Sequence, residues 1–263
     1  MLFVVAYGLN IAPLTSITIK STASNERNER TIIKGADISV DKEKAVADLA
    51  EMLKCKTISD KNHENEDEAE FERFRNHLPR LFPSVFEKCE TVYPSDRAIL
   101  IKWSGENHDS PTVLMSHYDV VSVEEEKWEK PAFSGIVEDE ILWGRGSIDT
   151  KVTLNGALQA AESLIKEDFV PKQDVYFAFA GDEEINGHGA RDIVKIFQEN
   201  AITPGIVVDE GGAVVNNVFP GVKRPCAMIG IAEKGMVNIE ICCSRSTISS
   251  FFSFSASSLR RLI

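Results

Sequence analysis

The chain has 263 residues, 41 of them acidic against 29 basic, for a formal charge of −12. That length can bury a sizeable core, as one large α/β domain or one domain with an appendage. The acidic balance argues against nucleic acid or an anionic membrane surface as a partner.

The N-terminal MLFVVAYGLNIAPL is apolar, but Gly8, Asn10 and Pro13 interrupt it and no Lys or Arg precedes it. It is too short for a spanning helix and lacks the basic start of a signal peptide; the alternative reading is a degraded membrane anchor. A polar stretch, Ser21 to Lys34, follows, so residues 1–40 are expected to be a poorly ordered leader. A helix begins after Asp41, its N-cap, with Val46, Leu49 and Leu53 at helical spacing. Glu64 to Glu72 and Glu124 to Glu126 read as solvated acidic faces. A second helix carries the stripe Phe71, Phe74, Leu78 and Leu81 until Pro79 and Pro83 break it.

Three β-rich runs come next, around Thr91, over Ala98 to Trp103 and over Thr112 to Ser116, divided by turn-rich segments. After a long loop, the helix Lys151 to Lys166 places Leu154, Leu158, Ala161 and Ile165 on one face. Asp174 to Ala180 is almost wholly apolar, as a strand buried on both faces requires. A helix over about Ala190 to Gln198 and a strand, Ile206 to Val208, complete the order. Alternating strands and helices predict an α/β fold with a mostly parallel sheet flanked by helices, in which ligands gather beyond the carboxyl ends of the strands. Five cysteines, Cys55, Cys89, Cys226, Cys242 and Cys243, form no C-x-x-C pair, and their odd number suits a reducing, cytoplasmic setting better than a disulfide scaffold.

The chemistry sits at those strand ends. In TVLMSHYD, Thr112 to Asp119, His117 and Asp119 are two apart, so on a strand both face one site. A metal-binding imidazole commonly donates its second N–H to a carboxylate, the role this spacing gives Asp119. Asp182, Glu183 and Glu184 follow the next apolar strand, Asp209 and Glu210 follow the third, and Asp149 precedes the connecting helix. One imidazole among so many carboxylates suits Zn²⁺, Co²⁺ or Mn²⁺, and the surplus of acids suits two ions sharing a carboxylate, with one acid left as base.

These residues lie in MSHYDVV, W-x-x-P-x-F-S-G at Trp128 to Gly135, LWGRGSIDTK at Leu142 to Lys151, FAFAGDEEINGHGA at Phe177 to Ala190 and VVDEGGAV at Val207 to Val214. Together they resemble the M20 metallopeptidases and aminoacylases, a dizinc group, over roughly Asp41 to Ile241, which is expected to be a partial catalytic domain. VFPGVKRP and IGIAEKG look most like the carboxypeptidase S branch, which acts on small peptides or N-acyl amino acids. The resemblance implies that His117 and Asp209 bind one zinc, that Asp149 bridges, that Glu184 binds the second zinc and that Glu183 is the general base. Asp119 is the orienting carboxylate, and the peptide after Asp149 is implied to be cis. Asp182 reads as structural, His188 as part of a glycine-rich turn, and His63, His77 and His108 as surface residues. Gly144 and Gly146 read as backbone requirements, because no G-x-G-x-x-G spacing follows.

The resembled family continues after EKG into a GGHSS-type turn, a smaller lid domain and a final histidine ligand. Residues 242–263 are instead a tail in which eight of the last twenty residues are serine. The expectation is a C-terminally truncated or frameshifted form without its lid, which leaves the oligomeric state unassigned. The alternative to a zinc amidohydrolase is then an inactive fragment that acts at most as a binding or interaction protein.

Overall fold

The computed structural model describes residues 40–230, apart from 213, 218, 219 and 223. The leader, save Val40, and the serine-rich tail therefore lie outside the described residues. Asp41 caps helix α1 (Lys42–Leu53) by accepting from the Lys44 amide at 2.9 Å. Leu49, Met52 and Leu53 turn inward, but Val46, expected on the same stripe, is 41% exposed. Helix α2 (Glu68–Leu81) buries Phe71, Phe74 and Leu78. Pro79 does not end it, contrary to expectation, since in a last turn the lost amide removes only one ladder bond. The break falls at Phe82, and Pro83 opens the short helix α3 (Pro83–Lys88), where a proline costs no hydrogen bond. Glu66, inside the stretch read as solvated, is also buried: its side chain is 2% exposed and meets Arg97 at 3.0 Å.

Strands β1 (Glu90–Ser95), β2 (Ala98–Trp103) and β3 (Asn107–His117) precede a short hairpin of β4 (Ile136–Glu138) and β5 (Ile141–Trp143). Helix α4 (Lys151–Lys166), strand β6 (Gln173–Ala180), helix α5 (Gly189–Glu199) and strand β7 (Ile206–Val208) follow. The main sheet has the order β1-β2-β6-β3-β7. Strands β3, β6 and β7 run parallel, β2 is antiparallel to both of its neighbours, and β1 therefore points with the parallel set.

Period-two alternation divides the core between the two faces of this sheet. Ile99, Ile101, Phe177 and Phe179 join Leu53, Phe71, Phe74, Leu154 and Leu158 in one cluster. Leu100, Tyr176 and Ala178 join Ile193 and Phe197 of α5 in the other. Each fully buried phenylalanine contributes about 1.5–3 kcal/mol by leaving water, which is why β6 can dispense with polar positions between its ends. Polar contacts fix how the helices sit on the first face. Gln159 of α4 donates to Asp48 at 2.6 Å, and Glu162 accepts from Ser84 Oγ at 2.9 Å and the Val85 amide at 3.0 Å at the start of α3. Burial opposes ionisation of Glu162, but Lys166 and these donors outweigh it and hold its pKa below the usual value.

The β4–β5 hairpin lies within the segment read as a long loop, because Asp139 and Glu140 both adopt positive φ (50° and 62°) without the Asn-Gly signature of such turns. The described residues fall into two compact units with the boundary after Glu210. In the second, β8 (Val214–Val215) pairs antiparallel with β9 (Cys226–Ala227). Among the described residues no helix is long and apolar enough to cross a membrane. Cys55, Cys89 and Cys226 are free thiols.

Candidate metal centre

Strand β3 ends by delivering His117 and, just beyond it, Asp119 to the carboxyl edge of the sheet. Both are buried, at 2% and 0% exposure. His117 Nδ1 lies 3.2 Å from Asp119 Oδ1 and 3.1 Å from the Asp119 carbonyl oxygen. That side of the ring is committed, so Nε2 is the nitrogen presented to the site. Around Nε2 stand Asp149 Oδ1 at 3.0 Å, Glu210 Oε1 at 3.1 Å and Glu183 Oε2 at 3.8 Å. Among the described residues, two groups have ligand atoms mutually close enough to hold a metal ion: His117, Asp149 and Glu184, and His117, Glu183 and Glu210.

Asp119 does more than orient the imidazole. Its Oδ1 accepts the Glu183 amide and its Oδ2 the Glu184 amide, each at 3.1 Å, and Oδ2 also takes the Ser59 hydroxyl at 2.6 Å. One buried carboxylate thus ties the end of β3 to the turn that carries two of the acids. That turn is fixed from its other end by Asp182, which is buried and accepts from the amides of His188 at 2.5 Å and Gly189 at 3.0 Å. Its approach to the strand depends on Gly181, where an added Cβ would lie 2.4 Å from the Tyr118 ring. Tyr118 in turn stacks on Phe74 at 4.8 Å.

Asp149 reaches the site through LWGRGSIDTK. Gly146 adopts φ +86°, and a side chain at Gly144 would meet Leu53 at 2.7 Å, so both glycines answer backbone and packing requirements. The Asp149–Thr150 peptide is cis. Lys151 then turns inward, wholly buried, and donates to the carbonyls of Cys55 at 2.9 Å and Met52 at 3.2 Å, with its pKa pushed down to about 8 by burial.

The electrostatics suit a cation. Burial opposes protonation of His117, yet Asp119 and Glu210 outweigh it and push its pKa up to about 11. Glu183 and Glu184 are raised above the usual carboxylate range, first by burial and then by the neighbouring acids. Glu210 is lowered: burial opposes this, but its bond to His117 prevails. Crowded carboxylates that take up protons this readily are what a divalent ion would neutralise. An imidazole nitrogen with carboxylate oxygens is a donor set suited to Zn²⁺, Co²⁺ or Mn²⁺.

The structure thus brings His117, Asp119, Asp149, Glu183 and Glu184 together. Asp209, expected to share a metal with His117, belongs to neither group, and Glu210 stands on His117 instead. Both acids lie beyond the end of β7, where the strand alternation no longer applies, and the sequence does not say which of them reaches His117. His188 is set apart from the centre, paired with Asp192 at 2.7 Å. His63 and His108 are exposed, as expected for surface residues, but each has an acid partner: Glu66 at 2.8 Å and Asp174 at 2.9 Å. Ser59 carries no sequence signal at all, because its partner is 60 positions away.

Residues 113–256 match the family described as Peptidase family M20/M25/M40. A probable carboxypeptidase S-like protein of Dictyostelium discoideum is 36% identical over 200 residues, 73% of this chain and 38% of that protein. An N-fatty-acyl-amino acid synthase/hydrolase, PM20D1 of Xenopus tropicalis, is 33% identical over 223 residues, 83% of this chain and 43% of its own length. The chain thus spans well under half the length of these relatives. Among solved structures, an M20 family metallo-carboxypeptidase of Sulfolobus solfataricus superposes with a TM-score of 0.54 at 21% identity, covering 66% of this chain and 38% of that one.

Proposed function

The chain belongs to peptidase family M20/M25/M40, and from that premise we propose that it hydrolyses amide bonds of small peptides or N-acyl amino acids with zinc as its metal. The observation that carries this reading is the convergence of Asp149, Glu183 and Glu210 within 3.8 Å of His117 Nε2, while Asp119 secures the other side of the ring. Relatives named for carboxypeptidase and N-acyl amino acid hydrolase activity support the substrate class.

In this reading His117, Asp149 and Glu184 hold metal, with Asp209 or Glu210 as the further carboxylate from the loop after β7. A bound divalent ion supplies Lewis acidity, polarising the amide carbonyl and acidifying a water. Glu183 acts as the general base: it takes the proton of the attacking water and returns it to the departing amine. Its raised proton affinity, caused by burial and neighbouring acids, suits a group that must hold a proton between those steps. Asp119 fixes the ring of His117 and, through the two amides, the position of Glu183 relative to it.

Purified chain, supplied with Zn²⁺ or Co²⁺, is expected to turn over dipeptides or N-acyl amino acids. Glu183→Gln should cut kcat about 10²–10⁴-fold with metal content unchanged. Metal binding without turnover in the unaltered chain would replace hydrolysis with a binding role, and absence of metal binding would remove the metal reading altogether.

A further inference from the structure

Asp119 is completely buried, and its hydrogen-bond donors are the amides of Glu183 and Glu184, the ring nitrogen of His117 and the hydroxyl of Ser59. A buried carboxylate is stable only when such donors replace water. Three of the four come from the two elements that carry metal-centre residues. The fourth, Ser59 at 2.6 Å, comes from a third element, the segment after α1.

That segment is held so firmly that its hydroxyl has little choice of position. Ile58 and Val120 form a parallel bridge. The Val120 amide donates to the Thr57 carbonyl at 2.9 Å, and the Ser59 amide returns a bond to the Val120 carbonyl at 3.2 Å. Thr57 Oγ1 donates to the Tyr118 carbonyl at 2.5 Å. Upstream, Lys151 grips the carbonyls of Cys55 and Met52, so the helix that follows Asp149 also anchors the run that leads to Ser59. Ser59 is 7% exposed, which leaves water little room to stand in for its hydroxyl.

We propose that Ser59 is a positioning residue of the metal centre: by donating to Asp119 Oδ2 it fixes the carboxylate plane that aims His117 Nε2 and seats the Glu183–Glu184 turn. The proposal rests on the metal reading given above. Without the hydroxyl, Oδ2 keeps only the Glu184 amide, the carboxylate is free to rotate, and both the ring and the turn lose their common reference.

The test is Zn²⁺ affinity of the 263-residue chain, measured by competition with a chromogenic chelator, alongside the thermal midpoint of the metal-free protein. Ser59→Ala is expected to weaken Zn²⁺ binding about 10–100-fold, the usual cost of removing a group that supports a metal ligand. Ser59→Cys, close in size but a weak donor, should behave like Ser59→Ala without leaving a gap. Ser59→Thr keeps the hydroxyl and should restore affinity. In turnover, kcat of the Ala variant should recover as Zn²⁺ is raised while KM stays put. Wild-type affinity in both the Ala and Cys variants would overturn the proposal. So would a Thr variant as weak as Ala, since packing rather than the hydroxyl would then be responsible. An unaltered chain that binds no Zn²⁺ would instead strike the metal reading itself, and with it this role for Ser59.

Discussion

Two buried aspartates sit at opposite ends of the same sheet, each holding a histidine. Asp119 follows the end of β3 and meets His117; Asp174 begins β6 and meets His108 at 2.9 Å. Both carboxylates are nearly inaccessible, at 0% and 1% exposure. Their surroundings differ. His117 is buried and its second nitrogen faces three carboxylates, whereas the His108 side chain is 70% exposed and Asp174 also has the Lys102 ammonium at 3.2 Å. A histidine–aspartate pair is therefore not in itself a site. What distinguishes the first is the gathering of acids on the free nitrogen, while the second is neutralised locally and anchors the start of a strand.

Substitution should separate the two pairs most sharply at the histidines. His117→Ala is expected to abolish measurable Zn²⁺ binding and with it turnover, whereas His108→Ala should leave both within about twofold, since surface changes are commonly near neutral. Chelator competition and steady-state rates would check this, and comparable losses in the two variants would collapse the distinction. The aspartates come next. Asp119→Asn should lower metal affinity about 10–100-fold. Asp174→Asn should leave affinity alone and destabilise the fold by about 1–3 kcal/mol, because the Gly105 amide, His108 and Lys102 lose a charged acceptor. Denaturant unfolding of the two variants side by side reads that difference.

Acid sharpens the contrast further, with a smaller effect. Burial opposes ionisation of Asp174, but the Gly105 amide, His108 and Lys102 hold its pKa below the ordinary 3.8. A carboxylate depressed in the folded state adds stability that is complete above its unfolded pKa and is lost as pH falls through the folded one. Stability of the unaltered chain should accordingly fall below pH 3.8, and the Asp174→Asn variant should lose less over that range. An identical acid limb in both proteins would mean that Asp174 gains nothing from its partners.

Much of this is legible in the sequence. His117 ends a strand and Asp119 follows two residues on, so the spacing already suggests a shared site, and apolar runs ending in DEE and VVDE announce where acids will gather. The extent of α4 follows from the helical spacing of its apolar residues, and the two-sided burial of β6 from its nearly unbroken apolar run. The Asp174 pair was not legible, because its members are 66 positions apart and only the parallel register of β3 against β6 joins them. Glu66 hides in an acidic run because its counter-ion, Arg97, is 31 residues on. That Glu210 reaches His117 Nε2 turns on the backbone path beyond β7, which composition cannot encode.

Gly181 carries a consequence for sites far from the metal centre. Since no side chain stands between it and Tyr118, the gap between the acid-bearing turn and the end of β3 is gauged by the thickness of one aromatic ring. That ring rests face to face on Phe74, midway along α2. The helix thus works as the back plate of a spacer, and its seating sets how closely Glu183 and Glu184 approach His117. Thinning the stack at Phe74 would retune the spacing of the carboxylates without touching any of them.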